Sequence, residues 1–124
     1  MSDAENFPPS IGLGELRNRL RKFASDRDWD QFHTPKNLAI SISIEAGELL
    51  EHFQWVSADP GQSFSSEEKS AIRKEMADVL LYLIRLSDLL NIDLLESALE
   101  KLEENAQKYP VEKAKGTSKK YTDL

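Results

Sequence analysis

A chain of 124 residues and 14.1 kDa suffices for one core and not for two, because an independent domain usually needs on the order of 100 residues. With 40% apolar and 31% charged residues and no cysteine, the composition excludes a disordered tail, a disulfide scaffold, a zinc-thiolate site and a thiol nucleophile, and no apolar run nears the roughly 20 residues that cross a bilayer. The net charge of −6 is uneven: residues 1–44 balance, residues 45–107 hold fourteen acids against five bases, and residues 108–124 hold five Lys against Glu112 and Asp123, a distribution that disfavours a nucleic-acid polymer and suits cations.

The start, Met-Ser-Asp-Ala-Glu-Asn, lacks the basic-then-apolar form of a signal peptide, so a cytoplasmic protein with a flexible N-terminus over residues 1–9 is expected. Gly and Pro lie only at positions 8, 9, 12, 14, 35, 47, 60, 61, 110 and 116, so long stretches carry no helix breaker, and no stretch alternates strictly. The reading is all-α, a compact four-helix bundle-like unit. The first helix is predicted from about Ser10 to Ser25, with Ile11, Leu13, Leu16, Leu20 and Phe23 near the 3.6 period. Thr34 and Pro35 resemble an N-cap followed by proline at the first helical position, opening a second helix to about Trp55. After the turn signal Asp59-Pro60-Gly61, Ser65 and Glu68 have capping-box spacing and start a third helix that ends near Asn91. Asp93 can cap the fourth, which stops before Pro110, and the Lys-rich tail 111–124 reads as irregular or docked on a neighbour.

Two acid pairs break the amphipathic pattern. The second helix places Leu38, Ile42, Leu49, Phe53 and Val56 on one stripe that runs through Glu45, with Glu48 one turn on. The third places Ile72, Met76, Val79, Leu83, Leu86 and Leu90 on a stripe that includes Glu75, with Asp78 one turn on. Unpaired inward-facing carboxylates cost several kcal/mol each, roughly, and repel one another when they converge. The cations on these helices, Lys69, Arg73, Lys74 and Arg85, are too few to offset so acidic a segment. Mg²⁺ or Mn²⁺, which prefer oxygen ligands, would offset them. The bland alternative is that the four acids sit on a solvated boundary of ordinary amphipathic helices.

Glu45-Ala-Gly-Glu48-Leu and Glu75-Met-Ala-Asp78-Val-Leu-Leu-Tyr82, with 26 residues between Glu48 and Glu75, resemble the signature of the MazG-like all-α nucleoside triphosphate pyrophosphohydrolases. Arg27-Asp-Trp29-Asp-Gln-Phe-His33, Pro35-Lys-Asn37-Leu, Phe53-Gln-Trp55, Lys108-Tyr-Pro110 and Ser118-Lys-Lys-Tyr-Thr122 resemble the dCTP pyrophosphatase branch, so the likeness spans roughly residues 13–124. It implies a pyrophosphohydrolase domain over residues 10–110, with 111–124 a tail, that converts dCTP or a related or modified deoxynucleotide to the monophosphate and pyrophosphate and so cleans the nucleotide pool. It also implies that Glu45, Glu48, Glu75 and Asp78 hold Mg²⁺ and form the catalytic centre. Tyr82, Lys101 and Asn105 match positions near the phosphates and sugar, and Trp29 and Trp55 match the aromatic lining of the base pocket. His33 and Asn37 are candidates for hydrogen bonds to the base edge. Ile44 stands where many members carry another acid. A homo-oligomer, a tetramer in preference to a dimer, is implied as well, and Leu80, Leu81, Ile84, Leu89, Leu94 and Leu95 exceed what one inward stripe needs and suggest the subunit interface. The competing reading is a non-catalytic helical interaction module that binds structural divalent ions.

Overall fold

The structure is a computed structural model and describes residues 11–59 and 61–124. The expected flexible segment 1–9 lies outside them. Every regular element among the described residues is helical: α1 (Leu13–Asp26), α2 (Pro35–Glu51), α3 (Ser66–Leu89), α4 (Leu94–Lys108), the single turn α5 (Val111–Ala114) and a 3-10 turn at Tyr121–Asp123. No helix among these residues is long and apolar enough to cross a membrane.

The caps explain the boundaries. The Thr34 hydroxyl accepts from the Asn37 amide at 3.2 Å, and Pro35, whose ring presets the helical φ, follows it. At the start of α3 the Glu68 amide donates to the Ser65 hydroxyl and the Ser65 amide donates to the Glu68 carboxylate, each at 3.1 Å, which satisfies two otherwise orphaned donors. Asp93 caps α4 by accepting from the Glu96 amide at 3.0 Å. Three helices differ slightly in length from expectation, and the first, Leu13–Asp26, leaves Ile11 of its expected stripe outside it, while Ser10 lies outside the described residues. The second ends at Glu51, and residues 52–55 form turns in which His52 and Phe53 donate to the carbonyls of Leu49 and Leu50, so Trp55 lies beyond the helix. The third ends at Leu89 because Asn91 takes a φ of +53°, which breaks the α-helical path. The tail, expected to be irregular, contains α5 and the 3-10 turn.

The chain separates after Asn91 into two compact units, the second being Ile92–Leu124. In the first, α2 and α3 pack on one another most extensively and α1 packs on α3. Leu38, Ala24 and Ile84 are buried there, whereas Ile42, Leu49, Phe53, Ile72, Val79 and Leu86 of the expected stripes are only half-buried. Met76, Leu83 and Leu90, also expected to face inward, are exposed. Of the residues assigned to a subunit interface, Leu80, Leu89 and Leu95 are exposed and Leu81 and Leu94 half-buried, but Ile84 belongs to the core, because its side chain faces the packed side of α3 beside Arg85. In the second unit Leu95, Leu99 and Leu102 form an exposed apolar stripe at helical spacing, and the Tyr109 and Tyr121 rings meet edge to face at 6.0 Å.

Candidate metal centre and adjoining cavity

α2 and α3 bring Glu45, Glu48 and Glu75 together, with one carboxylate oxygen of each within 4.8 Å of the others. Helical periodicity does this: Glu45 and Glu48, three apart, share one edge of α2, and that edge faces the stripe of α3 that carries Glu75. All three are half-buried, and Oε2 of Glu45 and Oε2 of Glu75 are shielded from solvent without a hydrogen-bond partner. Hydrogen bonding to Glu48 above all, then burial, then hydrogen bonding to Glu75 and the charges of Glu48 and Asp78, push the Glu45 carboxyl up to about 7. Near neutral pH the trio is thus shared between the ionised form and one in which Glu45 holds a proton.

This donor set fits a hard divalent ion. It consists of oxygen alone, two of the oxygens are orphaned, and a spread of up to 4.8 Å is close to the roughly 4.2 Å between opposite ligands of one Mg²⁺. Asp78, the fourth expected ligand, is half-buried one turn beyond Glu75 and stands outside the three-oxygen group, although its charge acts on Glu45.

Asp78 instead lines a cavity of about 250 Å³ that adjoins the acids. Leu20 and Phe23 of α1 form its apolar side, Trp29 and His33 of the α1–α2 connection a second wall, and Leu81, Tyr82 and Arg85 of α3 the remainder. A tight turn sets the aromatic wall. Asp28 takes a φ of +54°, and the Trp29 amide donates back to the Ala24 carbonyl at 2.9 Å, which folds the indole against Phe23 with ring centroids 5.6 Å apart. The His33 ring stands edge-on to the indole at 6.3 Å.

The other expected site residues are placed differently. Trp55 is 88% exposed and takes no part in this cavity. The Asn37 amide donates to the Phe32 carbonyl at 3.1 Å, so its side chain closes the loop before α2. Lys101 and Asn105 lie on α4 in the second unit, where the Lys101 ammonium is 3.5 Å from Glu104.

Sequence reasoning counted Arg85 only among the cations available to the acids. Its side chain is buried and committed elsewhere: Nε donates to His33 Nδ1 at 3.1 Å, Nη2 pairs with Asp30, and Nη1 lies 3.7 Å from Asp88. Asp88 also receives Arg21 of α1 at 2.6 and 2.5 Å, and that hydrogen bond holds its carboxyl below the usual range. One sequence signal was present. Arg85 and Asp88 stand three apart on α3, and Arg85 is itself three from Tyr82, on the cavity side.

The MazG-like family matches residues 40–124, a span that contains all four acids of the two pairs. The chain belongs to the MazG-like family. This MazG-like protein is 42% identical over 121 residues to dCTP pyrophosphatase 1 of Rattus norvegicus, which covers 96% of the chain and 71% of that protein. It is 40% identical over 121 residues to dCTP pyrophosphatase 1 of Homo sapiens, again covering 96% of the chain and 71% of the relative. Among solved structures, a pyrophosphatase from Archaeoglobus fulgidus superposes with a TM-score of 0.67 at 42% identity, covering 84% of this chain and 97% of the other.

Proposed function

We propose that this MazG-like protein is a Mg²⁺-dependent nucleoside triphosphate pyrophosphohydrolase that converts dCTP, or a related or modified deoxynucleotide, to the monophosphate and pyrophosphate. The observation that carries the reading is the continuity of two chemistries. A trio of carboxylates with orphaned oxygens adjoins an aromatic-walled cavity, and Asp78 belongs to both neighbourhoods. The kinship with dCTP pyrophosphatases supports the choice of substrate.

Glu45, Glu48, Glu75 and Asp78 would hold the ion, with Mn²⁺ as the substitute. Once bound, the ion supplies the positive charge that a triphosphate of about four negative charges needs beside carboxylates, and it polarises phosphoryl oxygens. The chain's own groups do the rest. Trp29 offers a ring face to the base, and His33 offers a polar edge beside it. Tyr82, one turn past Asp78, lines the cavity and carries a hydroxyl donor. At about 250 Å³ the cavity is smaller than ordinary ligand pockets, which run from about 300 Å³ upward, so it suits a base and leaves the phosphates outside with the acids. The family likeness is the support for Lys101 and Asn105, four apart on α4, as donors to phosphate and sugar, and for Trp55 and Asn37, which stand outside this cavity, as further base contacts.

The exposed apolar residues of both units, Met76, Leu80 and Leu83 on α3 and Leu95, Leu99 and Leu102 on α4, support a homo-oligomer, and the family likeness is the ground for a tetramer in preference to a dimer. The same proposal takes residues 10–110 as the enzymatic domain, 111–124 as a tail, and the protein as cytoplasmic, acting on free nucleotides and not on nucleic acid or membranes. The test is incubation with a panel of ribo- and deoxynucleoside triphosphates and Mg²⁺, with pyrophosphate release followed. Turnover led by dCTP is expected. Absence of turnover for every nucleotide would favour an interaction module built on the same helices.

A further inference from the structure

Among the described residues Arg85 is the buried charged side chain, and neither the acid site nor the packing of apolar groups uses its charge. Its contacts have a chemical consequence for the cavity wall. An arginine Nε always carries a proton and only donates, so His33 Nδ1, 3.1 Å away, must be an unprotonated acceptor. A neutral imidazole has one N–H, which must then be on Nε2. Burial first, and then the Arg85 charge, hold the His33 imidazole below its ordinary value against the opposing charge of Asp30, so the neutral ring is the resident form. Asp30 and Asp88 in turn fix the guanidinium from two sides.

We propose that Arg85 is a positioning residue that locks His33 as the Nε2–H tautomer, so that the cavity presents a fixed donor to N3 of a pyrimidine and selects a base in which N3 is an acceptor. Cytosine has acceptors at both O2 and N3, whereas uracil and thymine present an N–H at N3. O2 accepts in all three bases, so it is a donor set opposite N3 and unable to become an acceptor that favours cytosine, because a wrongly paired polar group in a half-buried site costs the hydrogen bond it forgoes. A free histidine would switch tautomer and accept either edge. The inference rests on reading this cavity as the base pocket.

The test combines a spectrum with kinetics. Protein labelled with ¹⁵N-histidine, with His52 assigned through His52→Gln, is examined at neutral pH by long-range ¹H–¹⁵N correlation. The wild type should give a bare Nδ1 and a protonated Nε2 for His33, and Arg85→Met should give a mixture. The same variant should raise KM for dCTP about tenfold with kcat changed less than about twofold, and lose a similar factor of preference for dCTP over dUTP, the worth of one hydrogen bond. Arg85→Lys, which keeps a donor and the charge, should restore part of both effects. A protonated Nδ1 in the wild type, or an unchanged spectrum in Arg85→Met, would overturn the proposal. Selectivity lost in His33→Ala but kept in Arg85→Met would also overturn it while leaving the nucleotide reading intact. Unchanged ranking of nucleotides in His33→Ala would instead remove His33 from base reading, whatever its tautomer. A thermal melt of each variant separates lost folding from these effects, since loss of stability alone moves neither the tautomer ratio nor the ranking.

Discussion

The Glu45 carboxyl, pushed up to about 7 from an ordinary 4.5, makes divalent-ion binding a proton exchange. An ion that needs the ionised trio must displace the proton. With a midpoint near 7, about nine-tenths of a proton should leave per ion bound at pH 6, about half at pH 7 and about one-tenth at pH 8. Below pH 7 the apparent affinity for Mg²⁺ should consequently fall about tenfold per pH unit, and above it the dependence should flatten. Calorimetric titration at pH 6 in two buffers of different ionisation enthalpy measures the proton count directly. The stability of the ion-free protein carries the same signature. Because the folded value is raised, the folded state binds more protons than the unfolded one, so the contribution is fully present below about 4.5 and lost as pH rises through 7. Melting temperatures of wild type in a chelator should therefore fall over that window relative to Glu45→Gln, whose amide does not titrate. The paired comparison removes His33, whose lowered pKa acts with the opposite sign. Identical heats in both buffers at pH 6, together with parallel melting curves for the two proteins, would refute the reasoning and place the Glu45 proton elsewhere.

Glu48→Gln or Asp78→Asn should lower kcat/KM for dCTP at least about 100-fold with unchanged far-ultraviolet circular dichroism, since each removes a proposed ligand from the face of a helix that other residues hold. Trp55→Ala should change stability by less than about 0.5 kcal/mol in urea denaturation, because the side chain is 88% exposed. If Trp55 stacks on the base in the assembled enzyme, the same variant raises KM for every accepted nucleotide by a similar factor and leaves their ranking intact. Leu80→Glu, which puts a charge on an exposed apolar face of α3, should lower the molar mass read by light scattering.

The helices were legible because their ends are written in side-chain chemistry: Thr34-Pro35, Ser65 with Glu68, and Asp93 each satisfy a backbone donor locally, without reference to the rest of the fold. The acid trio was legible for a related reason, since a carboxylate at a core-facing position contradicts the pattern around it. Depth of burial was not. Met76 and Leu83 share the stripe of Ile72 and Val79 yet are exposed, because periodicity gives the direction of a side chain and not what lies opposite. Arg85 escaped for another reason. Its partners His33 and Asp30 lie 52 and 55 positions away, and no local spacing announces a contact of that range. Trp29 lines the cavity, and its placement depends on the left-handed turn at Asp28, a residue type that tolerates such a φ without requiring it.

Gly47 lies between Glu45 and Glu48 in the middle of α2, where glycine costs roughly 1 kcal/mol relative to alanine. A Cβ built there meets nothing within 4 Å, so no internal crowding within the chain demands the missing methyl. The ribbon is consequently bare beside the acids on the side that faces away from the rest of the chain. At this residue the interest of the isolated chain and that of the loaded one diverge. Alanine would tighten the helix on its own, and it would stand as an obstacle to whatever comes to lie along that strip of backbone. Selection for a more heat-resistant variant would therefore find a gain at a position flanked on both sides by proposed ligands.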